Sequence, residues 1–272
     1  MNNFWKRTIS GIVYVALIVF AVFASNLITA VILSILSALT TYEFHKNTNK
    51  LENVNVNPII PAIASIAPLG YFVLLTVKNY YNIAFIFAGL YFVFGLYVFI
   101  AEIFRQKNNP INNIAYTFLG QIYIALPFLL MYGIKEINDI FLLALFVLIW
   151  ANDTFAYLAG STFGKHRMCK RISPKKSWEG FAGGLLGALI VAFVFSRFEA
   201  HFDVFAWFGF AALVVVFGTL GDLLESLMKR TIGVKDSGTI MPGHGGLLDR
   251  FDSLLLAAPV VFIYLQIVLF FS

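Results

Sequence analysis

Residues 204–227, VFAWFGFAALVVVFGTLGDLLESL, form a long apolar run with two acids near its end. About 20 mostly apolar residues are enough for a helix to cross the hydrocarbon core of a bilayer. The rest of the chain is similar, since 60% of its 272 residues are hydrophobic and 12% are charged. Soluble domains carry roughly 25% charged residues. We therefore expect an integral membrane protein.

The apolar runs predict an all-α, polytopic fold with about nine transmembrane helices: 9–25, 27–43, 59–77, 83–103, 113–133, 140–160, 179–196, 204–227 and 254–271. With a cytoplasmic N-terminus, all 19 lysines and arginines except Lys78, Lys135 and Arg197 lie on the cytoplasmic side. This bias follows the positive-inside rule. We expect a multi-pass protein of the inner (cytoplasmic) membrane, with the first run as an uncleaved anchor because no clear A-x-A site ends it.

The polarity of the loops divides the chain in two. We expect residues 1–135 to form a transmembrane scaffold and lipid-facing region, because their loops carry few acids and glycines. Residues 136–272 are expected to form a catalytic transmembrane region, with its active site and motif loops facing the cytoplasm. Nucleic acid is not an expected partner, since no basic stripe with interleaved aromatic residues lies outside the apolar runs.

The first polar segment is residues 150–166, WANDTFAYLAGSTFGKH, in which Asp153 lies inside a predicted span. A carboxylate at that depth costs a few kcal/mol unless it faces a polar cavity or a partner. Asp153 is therefore a candidate substrate-binding residue. The alternative is a neutral acid that hydrogen-bonds between packed helices.

The second polar segment is residues 170–188, KRISPKKSWEGFAGGLLGA. Its lysines Lys175 and Lys176 either attract anionic lipid or bind phosphate at a helix start. The dipeptide at 173–174 and Ser177 both resemble helix-start residues, with Glu179 in the first turn. The small residues that follow at every fourth position favour close helix packing: Gly180, Gly184 and Ala188.

The third polar segment is residues 221–253, GDLLESLMKRTIGVKDSGTIMPGHGGLLDRFDS. One face of its helix carries polar side chains at i, i+3, i+4 and i+7: Asp222, Glu225, Ser226 and Lys229. The glycines, among them Gly245 and Gly246, allow backbone N–H groups to converge on an anion. The sequence leaves three roles open for His244: a general base, a hydrogen-bond donor to phosphate, or a residue that fixes the loop. The remaining histidines are interpreted as loop residues: His45, His166 and His201.

Asp222 and Asp249 lie on two spans that one loop joins, so these acids could face each other. Carboxylate oxygens together with substrate phosphates are the ligands that Mg²⁺ takes. Four bases could hold the remaining phosphate charge: Lys229, Arg230, Lys235 and Arg250. The alternative is that these acids and bases form salt bridges with one another.

Two stretches of the third segment carry a family resemblance. The pattern S-x-M-K-R-x4-K-D-x-G at 226–238, followed by PGHGGLLDRFD at 242–252, resembles the signature of phosphatidate cytidylyltransferases, or CDP-diacylglycerol synthases. The stretches DTFAYLAGSTFGKH and ISPKKSWEG resemble upstream blocks of that family. Before about residue 150 the likeness is limited to apolar spans. Met241 stands where Leu, Ile or Phe is expected.

The resemblance implies that CTP and phosphatidate react to give CDP-diacylglycerol and pyrophosphate, with Mg²⁺ required. It implies a monovalent cation such as K⁺ beside the Mg²⁺, and a homodimer. Asp222 and Asp249 would bind the metal, and Lys229 and Arg250 would join them in catalysis. Residues lining the nucleotide and phosphate site would include Ser226, Lys229, Arg230, Asp236, His244, Arg250 and Asp252.

The sequence is also compatible with two other functions. A CTP-dependent polyprenol kinase would use similar polar loops but transfer the γ-phosphoryl group. An ion-coupled transporter would use Asp153, Asp222 and Glu225 as intramembrane ion ligands. The transporter requires acids along a path across the bilayer, whereas the motif acids gather on one predicted side.

Overall fold

The structure, a computed structural model, describes residues 3–76, 80–105, 109–199, 202–240 and 245–271. Its helices are α1 (Asn3–Phe23), α2 (Asn26–Thr48), α3 (Ile59–Ala64), α4 (Ala67–Thr76), α5 (Tyr81–Phe104), α6 (Pro110–Gly120), α7 (Leu126–Ile137), α8 (Asp139–Phe163), α9 (Trp178–Phe195), α10 (Val204–Ile232) and α11 (Leu248–Phe271). A π-helical segment, Gln121–Ala125, joins α6 to α7. Two short antiparallel strands form a hairpin, β1 (Arg167–Cys169) and β2 (Ser173–Ser177).

Eight helical stretches in the described ranges are long and apolar enough to cross a membrane, and Thr8–Phe23 is a shorter apolar helix. The fold is thus almost entirely helical and fits a polytopic membrane protein. The count of nine spans and the cytoplasmic N-terminus stay predictions. The hairpin is an addition to the expected all-α fold.

Several helices extend past their apolar runs, among them α2, α10 and α11. α2 continues to Thr48, α10 continues to Ile232, and α11 begins at Leu248. Hydropathy marks only the segment that suits lipid, whereas a helix continues wherever its polar side chains find partners in the protein. The assignment of His45 to a loop is therefore wrong, because this residue lies within α2 and is fully buried.

The start of α9 corrects one local prediction and confirms another. The residues at 173–174 do not begin a helix, because they lie in β2. Ser177 is the N-cap, since its Oγ accepts a hydrogen bond from the N–H of Gly180 at 3.1 Å. Glu179 occupies the first turn, as expected.

The chain forms two compact units. We call residues Met1–Tyr132 with Ile232–Arg250 the first unit, and residues Gly133–Thr231 with Phe251–Ser272 the second unit. The expected scaffold role of residues 1–135 stays a prediction. The segment between α10 and α11, of which the structure describes residues 233–240 and 245–247, is called the signature loop. The structure groups this loop with the helices of the N-terminal half.

α2 is the central helix of the first unit, where it packs against α1, α3, α4, α6 and the π-helical segment. Much of its buried face is polar: Thr29, Ser37, Thr40, Thr41, Glu43, His45, Asn47 and Thr48. Neither ring nitrogen of His45 has a hydrogen-bond partner within the described part of the chain. The C-terminal end of α2 thus contacts protein rather than lipid.

The second unit is held by a close helix pair and an aromatic cluster. α8 and α9 pack along the predicted ridge of small residues, and a Cβ atom on Gly180 would lie 2.9 Å from the carbonyl oxygen of Ala156. Trp207 is fully buried among aromatic rings with centroids 5.3–5.5 Å away, those of Phe141, Phe195, Phe202 and Phe210. This core lies at the N-terminal ends of α8 and α10, away from their polar C-terminal ends.

The ridge gives a test of the helix packing. In Gly184→Val the new Cβ would lie 3.0 Å from the carbonyl oxygen of Asn152 and 3.2 Å from the Cβ of Ala156. We expect a loss of about 1–3 kcal/mol from overpacking, measured as a lower Tm in detergent. Gly89→Val is the matched control, because no described atom lies within 4 Å of its Cβ position. Equal Tm values for the two variants would contradict the close packing of α8 and α9.

Candidate active site

The polar stripe on α10 is present as the helical spacing predicts. Ser226 Oγ donates a hydrogen bond to Asp222 Oδ1 at 3.2 Å. Lys229 Nζ lies 2.5 Å from Glu225 Oε2, and the side chain of Glu225 is fully buried. The buried carboxylate is thus compensated by a cation one turn away on the same helix.

Lys176 of β2 reaches the same stripe. Its Nζ lies 2.5 Å from Asp222 Oδ2, and the two side chains are 25% and 33% exposed. The sequence did not predict this pair, because the salt bridges considered as the alternative joined Asp222 and Asp249 to Lys229, Arg230, Lys235 or Arg250. An ion pair that remains partly open to water can exchange its partner for a charged ligand at little cost, because exposed pairs contribute only about 0–1 kcal/mol.

Asp252 of α11 lies beside Asp222 because α10 and α11 approach closely at Gly221. A Cβ atom there would lie 2.5 Å from the carbonyl oxygen of Asp252 and 3.1 Å from Ser253 Cα, so only glycine permits the approach. Asp252 Oδ1 accepts the N–H of Ser253 at 2.6 Å. Its carboxylate interacts electrostatically with Asp222, Asp153 and Lys229.

The second unit therefore gathers three carboxylates from three helices, Asp153, Asp222 and Asp252, with Lys176 and Lys229 nearby. Within the described ranges, no three His, Cys, Asp or Glu side chains are arranged to enclose a metal ion by themselves. Mg²⁺ does not need such a cage, because it takes one or two carboxylates and fills its other positions with waters and substrate phosphates. These hard oxygen donors fit Mg²⁺.

Asp249, the other acid predicted to bind metal, lies in the first unit and holds the signature loop. Its Oδ2 accepts the N–H groups of Ser237 at 2.9 Å and Gly246 at 2.8 Å. Its own N–H donates to Ser237 Oγ at 3.3 Å. Two backbone N–H groups of the loop thus converge on the carboxylate of Asp249. Their predicted convergence on a substrate anion stays a prediction.

A cleft of about 510 Å³ lies in the first unit, between the end of α2 and the loop 234–240. Its size is within the roughly 300–1,000 Å³ usual for small-molecule sites. The predicted residues Lys235 and Asp236 line it together with residues that the sequence did not single out: Tyr42, Glu43, Lys46, Asn47 and Lys50. The sequence indicated these five residues only through the positive charge of Lys46 and Lys50, which follow the apolar run 27–43.

The remaining candidates lie near the polar ends of the helices. Lys175 is exposed on β2, and its carbonyl oxygen accepts a hydrogen bond from Arg167 Nη1 at 3.0 Å. Arg230 is exposed in the last turn of α10, and Arg250 is partly buried in the first turn of α11. His244 lies outside the described residues.

The fold and the polar sites define a helical protein with spans of membrane length and with acids and lysines gathered at helix ends. The model of the cytidylyltransferase family matches residues 5–268, and the chain belongs to this family. The resemblance inferred from the signature is thus confirmed.

Similar proteins carry the name "Phosphatidate cytidylyltransferase". The protein of Staphylococcus aureus (strain COL) is 41% identical over 152 residues, which are 56% of this chain and 58% of the relative. That of Staphylococcus haemolyticus is 41% identical over 153 residues, with the same shares covered. The chain thus spans little more than half the length of the curated relatives that it matches.

Gly245 gives a test of how Asp249 is held. Both Gly245 and Gly233 have positive φ, 85° and 79°, so alanine at either position costs about 1–2 kcal/mol of backbone strain. At Gly245 the new Cβ would also lie 2.5 Å from Asp249 Oδ2, whereas at Gly233 no described atom lies within 4 Å. We expect Gly245→Ala to lower the Tm in detergent more than Gly233→Ala does. Equal losses would show that the carboxylate of Asp249 is not held against Gly245.

Proposed function

We propose that this protein transfers the cytidylyl group of CTP to phosphatidate, giving CDP-diacylglycerol and pyrophosphate. Its membership of the cytidylyltransferase family and the names of its relatives support this reaction. The observation that carries the proposal is the gathering of Asp153, Asp222 and Asp252 beside Lys176 and Lys229. Such a set can hold a metal and several phosphates at once.

The chemistry requires charge compensation more than a strong base. The phosphomonoester of phosphatidate has a second pKa near 6, like other phosphomonoesters, so it is mostly a dianion at neutral pH. One of its oxygens forms a bond to the α-phosphorus of CTP, and the bond from that phosphorus to the β-phosphate oxygen breaks to release pyrophosphate. Fixed positive charge around the phosphates stabilises this transition state.

The acids are proposed to hold Mg²⁺, with Asp222 and Asp249 as the ligands that the signature implies and Asp252 beside Asp222. A bound Mg²⁺ would neutralise phosphate oxygens and orient the two substrates. Lys176 and Lys229 are held near these acids by their pairs with Asp222 and Glu225, and we propose that both also contact phosphate. We propose the same role for the bases nearer the loop: Lys175, Arg230, Lys235 and Arg250.

The other parts of the proposal come from the family resemblance. They are a monovalent cation such as K⁺, a homodimer, a contribution of His244, Gly245 and Gly246 to the phosphate site, and an active site facing the cytoplasm. Spans of membrane length support a lipid substrate, because acyl chains can stay in the bilayer while the headgroup reaches the polar helix ends.

The direct test is a product assay with the purified protein, CTP, phosphatidate and Mg²⁺. We expect a lipid of the mass of CDP-diacylglycerol and an equal amount of pyrophosphate, because the α-phosphorus is attacked. Release of CDP would favour the kinase reaction instead. A purified, folded protein that yields neither product would refute the proposed function.

Asp249→Asn separates the charge of this acid from its hydrogen bonds. The amide oxygen can still accept from Ser237 and Gly246, so folding and membrane insertion should persist. Turnover should fall by about 10²-fold or more, as expected when preorganised transition-state charge stabilisation is lost. Asp203→Asn is the matched control, since Asp203 is exposed, lies outside the signature and also accepts a backbone N–H, that of Phe205 at 2.9 Å. An active Asp249→Asn variant would overturn the role assigned to this carboxylate.

A further inference from the structure

Glu43 of α2 is a buried acid that the proposed chemistry does not use. Glu43 is 3% exposed. Its Oε2 accepts the N–H of Leu248 at 2.9 Å, and the two residues are 205 positions apart in the sequence. Leu248 is the first residue of α11, where backbone N–H groups have no partner within the helix. A carboxyl group at this point satisfies one of them and complements the positive end of the helix dipole.

Two glycines of the signature, Gly238 and Gly246, lie against the same carboxyl group. A Cβ atom on Gly238 or on Gly246 would collide with Glu43 Oε1. These two glycines precede and follow the segment 239–245, and each lies too close to Glu43 to carry a side chain. Two glycines of the signature are thus explained by one side chain of the N-terminal half.

Asn47, one helical turn further along α2, holds the loop at a second point. Its Nδ2 donates a hydrogen bond to the carbonyl oxygen of Ser237. The N–H of Ser237 and the N–H of Gly246 are the two donors to Asp249. The loop backbone that binds Asp249 is therefore itself held by Glu43 and Asn47.

We propose that Glu43, with Asn47, is a positioning residue that sets the geometry of the signature loop and, through it, the carboxylate of Asp249. Glu43 acts through Leu248, Gly238 and Gly246, so this assignment needs no contact of Glu43 with the substrate. The expected effect of Glu43 on turnover rests on the proposed function. The consequence for the loop rests only on the contacts within the first unit.

The test is Glu43→Gln, which keeps the length of the side chain and one carbonyl acceptor but removes the charge and the second acceptor oxygen. We expect faster hydrogen exchange in peptides covering 234–240 and 245–251, with the Tm in detergent unchanged. We expect kcat to fall by about 10- to 100-fold, as for other residues that orient catalytic groups, with the KM for CTP unchanged. Glu43→Asp, which retains the carboxylate, should recover part of the lost kcat.

Glu102→Gln is the matched control. Glu102 is a half-buried glutamate of the first unit, whose side chain is 7% exposed and accepts from Arg105 at 3.0 Å and from Asn113 at 2.9 Å. It should change neither the exchange of the loop peptides nor kcat. Asn47→Ala provides a second variant that leaves Glu43 intact, and it should speed exchange in 234–240.

The outcomes separate the two proposals. Wild-type exchange of the loop peptides in both Glu43→Gln and Asn47→Ala would overturn the positioning role. The positioning role would also be overturned if Glu102→Gln lowered kcat as much as Glu43→Gln does, or if Glu43→Gln lowered the Tm together with kcat. Either result would indicate an effect on stability. An inactive wild-type protein would refute the proposed function, while the exchange measurements would still decide the role of Glu43.

Discussion

Asp249 Oδ2 accepts hydrogen bonds from the N–H groups of Ser237 and Gly246, and this interaction fixes the signature loop at the start of α11. Backbone N–H groups that are buried outside a helix or in its first turn must find partners elsewhere in the protein. Asp249 supplies one partner and Glu43 supplies the next, at Leu248. The position of the loop, and of the cleft that it lines with α2, follows from these bonds.

The sequence predicted the helical, apolar character of the fold because a run of about 20 apolar residues has few other stable structures. It could not predict that α2 continues to Thr48. The last turns of that helix are polar and are buried by partners such as Leu248, which lies 205 residues later in the chain. Hydropathy therefore treated the region around Glu43 as a loop boundary and the N-terminal half as a scaffold.

The candidate site was predictable where it depends on spacing along one helix. The contact of Ser226 with Asp222 and that of Lys229 with Glu225 follow from their positions four residues apart. The contact of Lys176 with Asp222 joins distant segments, and spacing carries no information about it. The approach of Asp252 to Asp222 depends on Gly221, whose missing side chain was the one available signal.

The measurement that tests the central claim most directly is the fate of phosphorus label in CTP. With the purified wild-type protein, phosphatidate and Mg²⁺, label in the α-position should appear in the lipid and label in the γ-position in pyrophosphate. This result requires attack at the α-phosphorus, which the acids and lysines are proposed to promote. Appearance of the γ-label in the lipid, with CDP released, would contradict the account.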